Sequence, residues 1–284
     1  RMNNATYRSG NFQYLNTIDT QALERVEVVH GPNSVMYGSD ALGGVINAIS
    51  ARPEMGYKGG FKTGGGMSSQ VSTADRTRTT GLNLSVTHRY WGAKVSAAYK
   101  SFGDVTRGDS GGTTLMNRLR NDSRTSRVLN RTQRPNGYDA YDINARLRFQ
   151  VADLQEMFFT YQANRQIGVP RYDVVETLSD SLRSIDPQTR NLIFVRYINN
   201  RKSRWYNNIS ASLSFHRQFE RRFRFRFNNP NARIDQFGTN SYGGQLHFNK
   251  IIGASHHLVY GTDVYYDDIQ SASYLQNIET GTNL

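Results

Sequence analysis

Over residues 138–151 apolar and polar side chains alternate without a break. Tyr141, Ile143, Ala145, Leu147, Phe149 and Val151 fall on one face, and Asp142, Asn144, Arg146, Arg148 and Gln150 on the other. A period of two is the period of a β-strand, whose successive side chains point to opposite sides of the sheet. The same pattern recurs over 57–66, 79–90, 93–102, 155–167, 189–199, 205–216, 240–252 and 257–268, which predicts nine strands. In 79–90, Leu82, Leu84 and Val86 oppose Asn83, Ser85 and Thr87; in 93–102, Val95, Ala97 and Tyr99 oppose Lys94, Ser96 and Lys100. In 205–216, Ile209, Ala211, Leu213 and Phe215 oppose a row of serines with Asn208. Only 189–199 leaves its two faces ambiguous, because Leu192 and Phe194 oppose Ile193 and Val195.

The connections alternate in length. Polar stretches around 68–78, 103–137, 168–187 and 217–237 are long, whereas 91–92, 152–154, 200–204 and 253–255 are short. Short turns at one end and long loops at the other are the plan of an outer-membrane β-barrel. Alternation alone also suits a soluble sandwich, where the polar face meets water instead of a wet lumen. Strand length separates the two, since alternating runs of a dozen residues exceed the usual five or six of globular strands. Pro53, Pro135, Pro170, Pro187 and Pro230 are all expected in connections or at strand ends, because proline cannot donate to a ladder. Nine strands do not close a single-chain bacterial barrel, which takes an even number.

Residues 24–50 read ERVEVVHGPNSVMYGSDALGGVINAIS. The run 24–29 is a short strand broken sharply at Gly31-Pro32, where glycine permits unusual angles and proline fixes φ. Ser34 is placed to cap a turn through Tyr37 that Gly38 ends, and Gly43-Gly44 leads into a second apolar run, 45–49. This order of a strand, a Gly-Pro turn, a small-residue–Tyr-Gly turn and Gly-Gly-Val-Ile-Asn resembles the end of the plug domain of TonB-dependent outer-membrane receptors. One departure is His30, where the family usually places Arg before Gly-Pro. No Gly-Lys-Ser/Thr follows the glycines, so the segment is not a phosphate-binding loop.

The resemblance implies an all-β fold: a transmembrane antiparallel β-barrel, present in part as about nine strands of roughly 22, behind the C-terminal part of a plug. Residues 1–52 are then plug and 53–284 the N-terminal part of the barrel. It also implies a receptor, not an enzyme, that binds a scarce metal chelate. Ferric siderophores are the family's commonest ligands, with haem and cobalamin behind them. The chelate is admitted when TonB displaces the plug, in the outer membrane of a Gram-negative cell. Partners implied are the TonB complex, through a segment upstream of Arg1, the chelate, and outer-membrane lipid with lipopolysaccharide; no cofactor is expected. The polar stretch 2–14 matches loops at the plug apex, which makes Asn4, Tyr7, Arg8, Asn11 and Gln13 ligand-contact candidates. Arg25, Glu27 and His30 are candidates for pairing plug to barrel, and Gly31, Pro32, Gly38, Gly43 and Gly44 for the motif's turns. The alternative of another class is a passive or structural β protein, a porin, adhesin or soluble sandwich, without energised transport.

Composition changes this picture little. Mean hydropathy is −0.65 and no apolar run is long enough for a spanning helix, but a spanning strand needs only about 9–11 residues. Tyrosine is abundant, 17 residues, which suits strands and interfacial girdles. Without cysteine there is neither a disulfide nor a thiolate metal site. No basic and apolar leader precedes Arg1, so the reading expects a mature or truncated chain. The net charge of +12 comes from scattered clusters in 104–137, 196–204 and 217–226, none set in a nucleic-acid-binding motif. Phe219, Phe223, Phe225 and Phe227 do interleave with Arg222, Arg224 and Arg226, but a basic exterior facing lipopolysaccharide or an anionic ligand fits better. Neither a catalytic constellation nor a metal site is expected; His216, His247, His256 and His257 are read as solvated or lumen-facing.

Overall fold

The computed structural model describes residues 14–32, 41–106, 108, 132–176, 180–253 and 255–283. Two short 3₁₀ turns, Tyr14–Thr17 and Thr20–Ala22, open the described chain. They lead into a two-stranded antiparallel sheet of β1 (Leu23–His30) and β2 (Gly44–Ser50). Beyond a linker through Pro53 comes one large antiparallel sheet. Its strands are β3 (Lys62–Val71), β4 (Arg78–Thr87), β5 (Trp91–Phe102), β6 (Tyr138–Ala152), β7 (Gln155–Ile167), β9 (Leu182–Asn199), β10 (Asn208–Phe225), β11 (Asn231–Ile252) and β12 (His256–Asn277). They lie side by side in chain order; the two-residue β8 (Val169–Pro170) pairs with β9, and the short helix α1 spans Tyr172–Glu176.

The sheet is inside out compared with a water-soluble protein. Its buried side chains are largely polar: Ser96, Asp142, Asn144, Thr160, Asn164, Gln166, Arg190, Ser212, His216 and Ser241 among them. Its exposed ones are largely apolar, including Leu82, Leu84, Val95, Ile143, Leu213 and Val264. Strand β6 shows the rule directly, with Asp142 and Asn144 buried while Tyr141 and Ile143 stand outside. A strand wall with an oily exterior and a polar interior is built to sit in lipid around a wet lumen. No helix among the described residues is long and apolar enough to cross a membrane.

The strands depart from the sequence expectation mainly at their ends. The first wall strand is Lys62–Val71 and not 57–66, because Gly56 (φ +101°) and Gly60 (φ +98°) bend the chain before pairing starts. The stretch expected as a basic loop over 217–237 is instead β-ladder, with β10 running to Phe225 and β11 starting at Asn231. There Phe219 and Phe223 share the outward face while Glu220, Arg222 and Arg224 point inward, so the Phe–Arg interleaving is strand alternation. Residues 226–230 thus form a short turn, and the regular long–short alternation fails at this place. Trp205 lies in the turn before β10 and not inside the strand. Pro187, expected in a connection, lies within β9, where the pairing with β10 slips between Glu220 and Arg222. The slip removes the ladder bond that proline could not make, and Arg221 Nε donates to the Asp186 carbonyl there at 2.7 Å.

The β3–β4 connection is held by Asp75, whose carboxylate accepts from the Thr77 amide at 3.1 Å and its hydroxyl at 2.6 Å. These bonds, led by the Thr77 hydroxyl and followed by that of Ser72, push the Asp75 carboxyl down to about 2. A depressed carboxyl contributes order that is complete above its unfolded value near 3.9 and is lost as pH falls through about 2. Protection of the Thr77 amide from hydrogen exchange should therefore persist at pH 4, and Asp75→Ala should abolish it at every pH. A second expectation concerns the wall. Ile143→Lys puts an ammonium into lipid near the middle of β6 and should cost about 2–4 kcal/mol in refolding of the full-length protein into bilayers, whereas Ser214→Lys, on the lumen side of β10, should cost far less.

Candidate functional site

The N-terminal turns and the end of β2 lie against the polar inner face of the wall, and the contact is built from named side chains. Asp19 caps the second 3₁₀ turn by accepting from the Gln21 amide at 3.2 Å. The same carboxylate, 1% exposed, takes the Lys100 ammonium of β5 at 3.2 Å and the Asn144 amide of β6 at 3.0 Å. Lys100 also meets Asp142 at 2.9 Å, and Asp142 in turn accepts from Asn164 of β7 at 2.7 Å. Two buried carboxylates therefore share one ammonium, with amides filling their remaining lone pairs. Charges this far from water persist only when paired and hydrogen-bonded.

Three further contacts extend the seat. Gln166 of β7, fully buried, exchanges hydrogen bonds with Asn16: its Nε2 donates to the Asn16 carbonyl at 3.1 Å, and Asn16 Nδ2 donates back at 3.4 Å. Arg146 of β6 donates to the carbonyls of Ser50 and Ala51 at the end of β2, and Gln162 donates to Ser50 Oγ at 3.4 Å. Arg148 clamps Glu156 through two bonds, at 2.7 and 3.1 Å, and reaches the Pro53 carbonyl at 3.4 Å. Small residues complete the fit. A Cβ on Gly81 of β4 would collide with the Gln21 side chain, and one on Gly92 of β5 with the Glu54 carbonyl.

The sequence candidates sit as follows. Asn4, Tyr7, Arg8, Asn11 and Gln13 lie outside the described residues, as do Ser34, Tyr37 and Gly38. Arg25 pairs with Glu27 at 2.8 Å and Glu24 at 2.9 Å on its own exposed strand, which holds its guanidinium above the ordinary value, and Asn47 donates to Glu27. His30 is exposed at the end of β1, opposite Gly44. Gly31 has φ +88° and its amide donates to the Gly43 carbonyl at 3.2 Å. His216 is buried on the inner face of β10, and His247 pairs with Asp263 at 2.7 Å. Among the described residues no cluster of three metal-ligating side chains forms.

The residues that seat the segment, Asp19 and Lys100 foremost, were not singled out from sequence. Lys100, Asp142, Asn144 and Arg146 were visible as polar-face positions of 93–102 and 138–151. Asp19, with the cap signal of Asp before a short turn, had no partner to suggest itself until three strands were brought side by side. Removing the shared cation is the sharpest test: Lys100→Met leaves two buried carboxylates facing each other and should loosen the seat by about 3–5 kcal/mol. Limited proteolysis of the full-length protein at residues 14–32 reads this directly, with Asn164→Ala expected to have a smaller effect.

The comparisons with known proteins agree with this geometry. Residues 1–45 match the family model of the TonB-dependent receptor plug domain. An iron-regulated outer membrane virulence protein of Vibrio cholerae is 54% identical over 39 residues, which are 14% of this chain and 6% of that protein. Among solved structures, the copper transporter OprC superposes with a TM-score of 0.70 at 13% identity, over 94% of this chain and 38% of OprC. The ferric enterobactin receptor PfeA gives 0.56 at 16% identity over 92% and 38%, and the siderophore receptor PirA of Acinetobacter baumannii 0.54 at 15% identity over 94% and 37%. The chain thus spans under two fifths of the length of these structures, and at such identities they establish the fold of the wall. A matching plug segment, seated by buried ion pairs against a strand wall of that fold, is similar to the corresponding part of a TonB-dependent outer-membrane receptor.

Proposed function

We propose that the protein takes up a scarce metal chelate, a ferric siderophore before haem or cobalamin, and that TonB drives the plug from its seat to admit it. The observation that carries this reading is the seat itself. A plug segment held on the polar face of the wall through Asp19, Lys100 and Asp142 would close the complete pore to passive flow, so that passage needs work done on the plug. A solute too large and too dilute for open pores needs tight binding, and tight binding needs an energised step for release. The names of the solved relatives, two siderophore receptors and a copper transporter, support a metal-bearing ligand. On this reading Asn4, Tyr7, Arg8, Asn11 and Gln13 contact the chelate, and Arg25, Glu27 and His30 pair plug with barrel once Arg25 and Glu27 release each other on β1. A porin or adhesin fits poorly, since neither has use for a stopper held by buried charge.

The seat offers its own test: residues 1–284 contain no cysteine, and any elsewhere in the full-length protein is first replaced by serine. Asn16→Cys with Gln166→Cys replaces the paired amides by a disulfide between plug and wall. Uptake of ferric chelates by cells carrying the full-length double variant should stop under oxidising conditions and return on reduction. Each single variant should keep transporting. Uptake that continues with the disulfide formed, or that proceeds equally in cells without TonB, would remove the energised mechanism and leave a passive pore.

A further inference from the structure

The outward face of the wall is not uniform. Near the turn-bearing end of β9–β12 an apolar groove crosses four strands, lined by Tyr197, Ala211, Leu213, Gly244, Leu246 and Val264. Its floor is low because Ala211 and Gly244 carry almost no side chain, and a Cβ built on Gly244 would meet nothing closer than Leu213 at 3.8 Å. Below the groove lies a ring cluster. Phe248 stacks on Tyr260 with centroids 4.9 Å apart and leans on Tyr206 at 5.9 Å, while the Tyr260 hydroxyl donates to the Trp205 carbonyl at 2.8 Å. Trp205 itself is 71% exposed. Rings of this kind mark the level where hydrocarbon gives way to headgroups.

Below the rings, the β9–β10 turn carries Arg201, Lys202 and Arg204, all exposed, and no acidic residue over 200–207. The other described turns at this end, 88–90, 153–154 and the residues flanking 254, bring a single Arg between them, Arg89. Among these turns the β9–β10 turn alone carries more than one basic residue, while Lys58 and Lys62 stand at the same end beside β4. Ala211 lies four residues beyond the turn, roughly 13 Å along an extended strand, a span that a glycerophospholipid covers from phosphate to the middle of an acyl chain. We propose that this face binds one anionic glycerophospholipid of the periplasmic leaflet, its acyl chain in the groove and its phosphate on Lys202 and Arg204. The short turns place this site at the periplasmic end, away from the phosphates of lipopolysaccharide. The inference rests on the wall being membrane-embedded and is independent of which chelate is carried.

Native mass spectrometry of the full-length receptor, incubated with phosphatidylglycerol, phosphatidylethanolamine or lipid A, tests it. One phosphatidylglycerol should be retained in preference to the other two. Gly244→Phe fills the groove and should abolish that retention, and Lys202→Gln with Arg204→Gln should weaken it by about thirtyfold, the worth of two basic residues at an anionic surface. Ala97→Phe, on the outward face of β5, should change nothing. Equal retention by the Gly244→Phe and charge variants, or equal retention of lipid A or of phosphatidylethanolamine, overturns the site. Outer-membrane fractionation of each variant separates the readings: protein that stays in the membrane with lipid retention unchanged defeats the lipid site alone, whereas wild-type protein outside the membrane defeats the wall as well.

Discussion

Hydrocarbon offers no hydrogen bonds, so every backbone amide and carbonyl that crosses it must find a partner within the protein. From β4 to β11 the wall meets this demand by giving each long strand an antiparallel neighbour on both sides. Once that is done, the pleat divides the side chains without further choice: one set faces lipid and must be apolar, the other faces the lumen and is free to be charged. The inverted burial of the sheet, and the availability of a polar surface on which a plug can sit, both descend from this. The outermost strands β3 and β12 are exposed along nearly their whole length, and in lipid their free edges call for partners of the same kind.

A polar lumen makes a plug possible but does not make it specific. Specificity comes from taking charge out of water. Asp19 is held by a cation from one strand and an amide from the next, and Lys100 by a carboxylate on each side of the interface. Such pairs add little net stability compared with a well-packed apolar contact, yet they are costly to break one partner at a time. The plug is therefore registered against β5, β6 and β7 rather than merely adsorbed to them. Backbone carbonyls at Ser50, Ala51 and Pro53 are caught by Arg146 and Arg148, so the linker follows a fixed path from the plug to the first wall strand.

Much of this was legible in the chain. The two-faced pattern of β6 read from sequence is the pattern observed, down to Asp142 and Asn144 inward and Tyr141 and Ile143 outward. The class of the 24–50 motif was legible too, because its turns depend on glycine and proline at fixed spacing. Strand ends were not. Arg-rich 217–226 looked like a solvated loop because charge was weighed above period, and Pro187 looked like a breaker because a register slip cannot be seen in one strand. The seat was hidden for a different reason: Asp19 and Lys100 are 81 residues apart, and only strand pairing makes them neighbours.

The contact between Gln21 and Gly81 has a further implication. Here one missing Cβ leaves a slot, and a single projecting amide fills it. Gln21 is exposed and its amide is the far end of a flexible chain, so a larger residue at position 81 would push that amide aside and leave the backbone of the turn where it is.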